Sequence, residues 1–196
     1  MRFWLCASLA FAAAASSSAA PGQRQTSTRG GVHGANELLL AGLRPGRDTL
    51  AIAQKRFKSK SKKLAESEES GFKEWRDACS GRAIRVELDL KSVIQLITVT
   101  TLGLKEGACG DRPGDFLDPK NWATGQGLRV GDSQDQAFAV YGEPKSTGPS
   151  SKYGEELELL VYQFDWAGSD VPQVLEVLCA RDTGRVVEMT LAFPSL

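Results

Sequence analysis

Apolar and polar residues alternate along three stretches of this chain, and that alternation sets the predicted architecture. In Ile84 to Leu90, residues Ile84, Val86, Leu88 and Leu90 share one side while Arg85, Glu87 and Asp89 share the other. This period of two is that of a half-buried antiparallel strand. Glu158 to Trp166 aligns Leu160, Tyr162, Phe164 and Trp166, and Arg185 to Phe193 aligns Val187, Met189, Leu191 and Phe193. Phe72 to Cys79, the β-branched run Val93 to Thr101, and Val174 to Ala180 complete six predicted strands. Asp182-Thr183-Gly184 supplies a hairpin turn before the last of them. The basic run Lys55 to Lys63, followed by Glu66, Glu68 and Glu69, reads as a solvated connection, and Gly142 to Gly154 reads as a loop.

A helical period appears twice, each time behind a similar glycine loop. GLRPGRDT spans Gly42 to Thr49, and GLRVGDS spans Gly127 to Ser133. After the first, Leu50, Ala53 and Phe57 line one helix face, with Thr49 as predicted N-cap. After the second, Ser133 and Gln136 have the spacing of a capping box, Ala137, Val140 and Tyr141 form the apolar face, and Gly142 with Pro144 stops the helix. Aligned on Asp48-Thr49 and Asp132-Ser133, Phe57 and Tyr141 occupy the same helical position. Neither loop is a phosphate loop: the lysine is missing and the second copy carries Asp132. The predicted fold class is α+β, a tandem repeat of two helix-plus-three-strand units with helices packed on one face of antiparallel sheet. The predicted units are residues 38–102 and 127–196, joined by a linker at 103–126 and preceded by a flexible lead-in at 21–37.

The first 20 residues read differently. Arg2 precedes the apolar run Phe3 to Ala15, and Ser16 to Ala20 offers a small-residue cleavage site, the pattern of a secretory signal. The expected location is therefore secreted or periplasmic, with no integral membrane segment after signal removal. Export brings an oxidising compartment, and three cysteines remain beyond the signal. Cys79 at the end of a strand and Cys109 in the linker are the predicted disulfide, leaving Cys179 as a buried thiol. With 24 Lys+Arg against 24 Asp+Glu, the chain lacks the basic excess that a nucleic-acid partner calls for.

Candidate catalytic chemistry is sparse. His33 is the sole histidine, so no Ser-His or Cys-His pair arises outside its polar lead-in. The cysteines show no metal-ligand spacing, and no cofactor motif occurs. A carboxylate pair, as in glycosidases, is the third reading and would make the protein a hydrolase. The expectation is a non-enzyme.

The duplicated unit, carried by Gly46, Asp48, Thr49 and Phe57 in one copy and by Gly131, Asp132, Ser133, Tyr141, Gly142 and Pro144 in the other, resembles the β-lactamase-inhibitor-protein-like tandem repeat. The single unit also looks like small outer-membrane assembly lipoproteins of the BamE/SmpA type. That resemblance implies an exported, non-catalytic protein that binds another protein through a concave sheet. The expected function is thus a protein-binding or inhibitory module, with a structural component of the bacterial cell envelope as the alternative. With helices on the apolar strand faces, the opposite faces meet a partner. The candidate partner-binding residues are Arg85, Glu87 and Asp89, with Trp75 as aromatic anchor because Glu74, Arg76 and Asp77 surround it.

Overall fold

The alternating stretches pair into one sheet, and the sheet recruits two segments whose sequences carry no alternation. The computed structural model describes residues 37–57, 64–69, 71–77, 80–104, 119–164 and 173–193. The strands are β1 (Leu64–Glu69), β2 (Phe72–Asp77), β3 (Arg82–Leu88), β4 (Ile94–Thr100), β5 (Ser146–Lys152), β6 (Glu155–Phe164), β7 (Gln173–Ala180) and β8 (Val186–Ala192). Helix α1 spans Leu50–Arg56, α2 spans Gln134–Tyr141, and a 3-10 turn covers Pro119–Trp122. All eight strands form a single sheet in the order β1-β2-β3-β4-β8-β7-β6-β5. Every pairing is antiparallel. Two four-strand meanders are therefore fused through β4 and β8.

This architecture overturns the expected tandem of two helix-plus-three-strand units with helices packed on one face. The described residues are mostly β, with two α-helices of 7 and 8 residues among them. The missed strands are the two sheet edges. β5, Ser-Thr-Gly-Pro-Ser-Ser-Lys, has no apolar face to read, yet all seven of its residues pair with β6. Pro149 within it suits an edge, where its missing N–H faces away from the neighbouring strand.

One face of the sheet is apolar from β2 to β6. Trp75, Ile84, Val99, Met189, Val177 and Leu160 are successive cross-strand partners, and all are buried. The helices supply little of the cover: Ala53 from α1 with Phe57 just beyond it, and Ala137 and Tyr141 from α2. Irregular chain supplies the rest through Leu40, Leu43, Trp122, Leu128 and Val130. Aromatic rings pin cover to sheet, Phe57 against Trp75 at 4.9 Å and Tyr141 against Tyr162 at 5.2 Å between centroids, contacts that favour offset or tilted geometry. A register shift at Leu178/Cys179 puts Val186, rather than Val187, into the core. Leu90, expected on the apolar face of its strand, is fully exposed in the turn after β3.

Cys179 is a free, buried thiol on β7. Burial, with the Glu158 carboxylate second, pushes it up to about 11. The expected signal peptide, His33, Cys79 and Cys109 of the expected disulfide, Trp166 and the lysines at 58, 60, 62 and 63 lie outside the described residues. Among the described residues, no helix is long and apolar enough to cross a membrane.

Candidate functional site

The second face of the sheet carries the polar partners of the core rows. Glu74, Arg85, Thr98, Thr190 and Glu176 follow one another across β2, β3, β4, β8 and β7. Arg76, Ala83, Thr100, Glu188, Leu178, Leu159 and Gly148 form the next row. These side chains point away from the core because successive strand residues alternate sides.

This face is concave. Lys152 Nζ donates to Glu188 Oε1 at 2.7 Å and lies 2.9 Å from Oε2. Lys152 sits on β5 and Glu188 on β8, with β6 and β7 between them. Glu188 lies level with Gly148 on β5, four residues from Lys152. At about 4.8 Å per strand and about 3.3 Å per residue, a flat sheet would hold their backbones roughly 19 Å apart, beyond the span of about 14 Å that the two extended side chains bridge. Contact demands that the sheet coil over this face, in the sense that strand twist imposes.

Two carboxylates lie at the floor of the concavity. The Glu74 side chain is 4% exposed and Glu188 6%. Arg85 donates to Glu74 Oε2 from Nε at 3.2 Å and from Nη2 at 2.9 Å. Arg76 donates from Nε to the other oxygen, Glu74 Oε1. Charge-assisted bonds to both oxygens satisfy a carboxylate that burial would otherwise destabilise. The Arg85 guanidinium also lies 4.9 Å from the Phe72 ring centroid, a cation–π contact. Arg85 is raised above its ordinary value although burial opposes that change; the hydrogen bond and charge of Glu74 prevail, with smaller help from Tyr153 and Glu188. Thr98 and Thr190 hydroxyls share a 3.1 Å hydrogen bond at the midline.

Tyr153 stands in the β5–β6 turn, its ring centroid 5.9 Å from Lys152 Nζ. It has φ +54°, followed by Gly154 at φ +81°, the pair of positive values that a tight I′ hairpin requires. Asn or Gly ordinarily fills the first position; a tyrosine there stores strain on the order of 1 kcal/mol. Its ring lies against the backbone at Gly103, where an added Cβ would meet the ring at 3.1 Å. Even so, Tyr153 remains 63% exposed.

The sequence-predicted site residues are only partly brought together here. Arg85 lies in the network and Glu87 is exposed on the same face, opposite Phe72. Asp89 is not on a strand: its Oδ1 accepts the N–H groups of Lys91 and Val93, both at 2.8 Å, so it builds the turn. Trp75 is 2% exposed and belongs to the core, correcting the expectation that it faces solvent. Its charged neighbours misled because Glu74 and Arg76 point to the concave face while Trp75 points to the other. Glu74, Arg76, Lys152 and Tyr153 were not singled out from sequence as site residues. The available signal was Lys152-Tyr153-Gly154-Glu155, a two-residue hairpin turn inside what reads as a loop.

The remaining chemistry serves the fold. Glu37 is buried and accepts from Leu39 N–H (2.9 Å), Gly125 N–H (3.0 Å), Gln126 N–H (2.9 Å) and the Tyr141 hydroxyl (2.7 Å). Burial and the Glu37 charge raise Tyr141 well above the usual phenol range. Among the described residues no cluster of His, Cys, Asp and Glu has the arrangement of a metal site. Comparison with protein-family models, with curated proteins and with solved structures finds no match for this chain.

Proposed function

We propose that this chain is an exported, non-catalytic module that binds another protein, as an inhibitor or adaptor, on its concave sheet face. The observation that carries this reading is Tyr153. A large aromatic side chain is held in a strained turn, beside a polar concavity, and is left exposed. Strain at an exposed residue does nothing for stability, whereas a rigid, amphipathic tyrosine is a favoured anchor in protein interfaces. The exported location rests on the leader sequence, and the partner class rests on the breadth of the face. Five strands of floor suit an interface more than a small-molecule pocket.

The test uses tagged full-length protein incubated with the native exported fraction. Tyr153→Ala should fold with an unchanged or slightly lowered melting temperature, since alanine keeps the positive-φ strain and loses the ring contact at Gly103, yet weaken partner retention about tenfold, the scale of a truncated interface tyrosine. Equal retention by both forms, or no stoichiometric partner for either, overturns the reading.

A further inference from the structure

We infer that the partner surface taken up by the concave face is acidic: it presents Asp or Glu side chains to Arg76 and Arg85, with Tyr153 packed beside them. This rests on the proposed use of that face for binding and specifies the chemistry recognised there. The argument comes from which half of each ion pair reaches solvent. At the centre of the face the carboxylates of Glu74 and Glu188 are covered, while Arg76 is 51%, Arg85 35% and Lys152 37% exposed. An approaching surface therefore meets N–H donors, with the acceptors beneath them already engaged.

Within the two ion-paired groups themselves, Arg76–Glu74–Arg85 and Lys152–Glu188, three cations stand over two carboxylates. Glu74 bonds only Nε of Arg76, and Nε with Nη2 of Arg85. Among the described residues, that leaves the outer guanidinium nitrogens of Arg76, and Nη1 of Arg85, for a further acceptor. Guanidinium donors match a carboxylate in geometry as well as charge. Phe72 beneath Arg85 and the Glu74 carboxylate between the two arginines hold the donors in place before binding, which reduces the entropy lost on docking. Glu87 and Glu176 are exposed on the same face, and like-charge repulsion there directs a partner's acidic groups to the three cations.

Fluorescence anisotropy with two labelled 12-residue probe peptides tests the inference directly: one carries four glutamates, the other has glutamine at those four positions. The full-length wild-type protein should bind the glutamate peptide at least about tenfold more tightly, with the preference shrinking as salt rises. Arg76→Gln, at the half-exposed cation, should reduce the preference several-fold, and Arg76→Gln/Arg85→Gln should abolish it. Lys55→Gln/Arg56→Gln, at the end of α1, should leave it intact. Thermal melts show that each variant is folded, and the single Arg76 variant keeps the test valid if the double variant is not. Equal or absent binding of the two peptides, or a preference that survives the double substitution, overturns the acidic-partner inference. Loss of protein capture in Tyr153→Ala without any glutamate preference would leave the concave face as the docking surface and sink only its proposed chemistry.

Discussion

At the mouth of β4, Gly46 N–H donates to Ile94 O at 2.7 Å and Ile94 N–H returns to Asp48 O at 2.9 Å. At the mouth of β8, Gly131 N–H donates to Val186 O and Val186 N–H to Asp132 O, both at 2.8 Å. The acidic side chains also correspond: Asp48 Oδ2 accepts Arg44 N–H and Asp132 Oδ2 accepts Arg129 N–H, each at 2.8 Å. The two glycine loops are thus one backbone device, with glycine φ of +75° and +97° at the matching positions, values that side-chain-bearing residues rarely adopt. The helices behind them are secured by different means. Ser133 caps α2 by accepting Gln136 N–H at 3.2 Å, whereas Thr49 makes no side-chain cap bond to α1. At the far end, α2 is tied by the Tyr141 hydroxyl to Glu37. α1 is tied instead by Arg56 Nε, which donates to Ala41 O at 2.8 Å and Asn121 Oδ1 at 3.0 Å. What repeats is the main-chain docking; what diverges is the side-chain clamp. Each clamp crosses to the other half, since Glu37 precedes the first loop and Asn121 the second. The halves are locked by these crossed ties as well as by the β4–β8 pairing.

The strongest way to break this comparison is at the buried clamp. Glu37→Ala leaves three backbone N–H groups and the Tyr141 hydroxyl without their acceptor, and should lower stability by about 3 kcal/mol. Arg56→Met, at the exposed clamp, should cost only about 1 kcal/mol, because water replaces the lost bonds. Urea unfolding of both variants measures the difference, and equal losses would show that the clamps are equivalent.

Alkaline pH should distinguish the halves next. Tyr141, Tyr162 and Cys179, all in the second half, are raised by burial. For such acids the folded chain keeps protons that the unfolded chain releases, so their stabilisation is full below the unfolded values. It is then lost as pH rises through the folded ones. For Cys179 that window runs from the ordinary 9.0 to about 11, and stability should fall there by about 2 kcal/mol. Peptide mapping after iodoacetamide treatment should find Cys179 unlabelled at pH 9 and labelled as pH approaches the upper limit. Rapid labelling at pH 8 in the folded protein would contradict its burial.

The smallest effect is expected at the caps. Ser133→Ala should cost about 1 kcal/mol, and Thr49→Ala a few tenths, since Thr49 accepts no N–H. Matching losses in thermal unfolding would mean that Thr49 caps its helix in solution after all.

How far these features could be read from the chain depends on whether a residue's role is local. The duplicated loops, the Ser133 cap, the Gly142 stop and the central strands were legible because glycine conformation, N-cap chemistry and period-two alternation act over a few neighbours. The edge strand β5 was not, since its pairing is decided by the free side of β6. Trp75 was misjudged for a related reason. Charged neighbours in sequence lie on the opposite face of a strand, so Glu74 and Arg76 say nothing of where Trp75 points. Asp89 continued the alternation in sequence, but two backbone N–H groups captured its carboxylate and ended the strand.

The sequence by itself determined that antiparallel strands would dominate each half and that two glycine loops would precede two short helices. Those outcomes follow from steric and hydrogen-bonding preferences within a turn or a strand. Only the tertiary structure decided that the halves share one eight-stranded sheet and that irregular chain rather than helix covers most of its apolar face. It alone curled β5 over the other face, bringing Lys152 to Glu188 and the Tyr153 ring to Gly103. Those contacts join residues 36 and 50 positions apart, and twist accumulated over several strands, which no single segment encodes, is what brings them together.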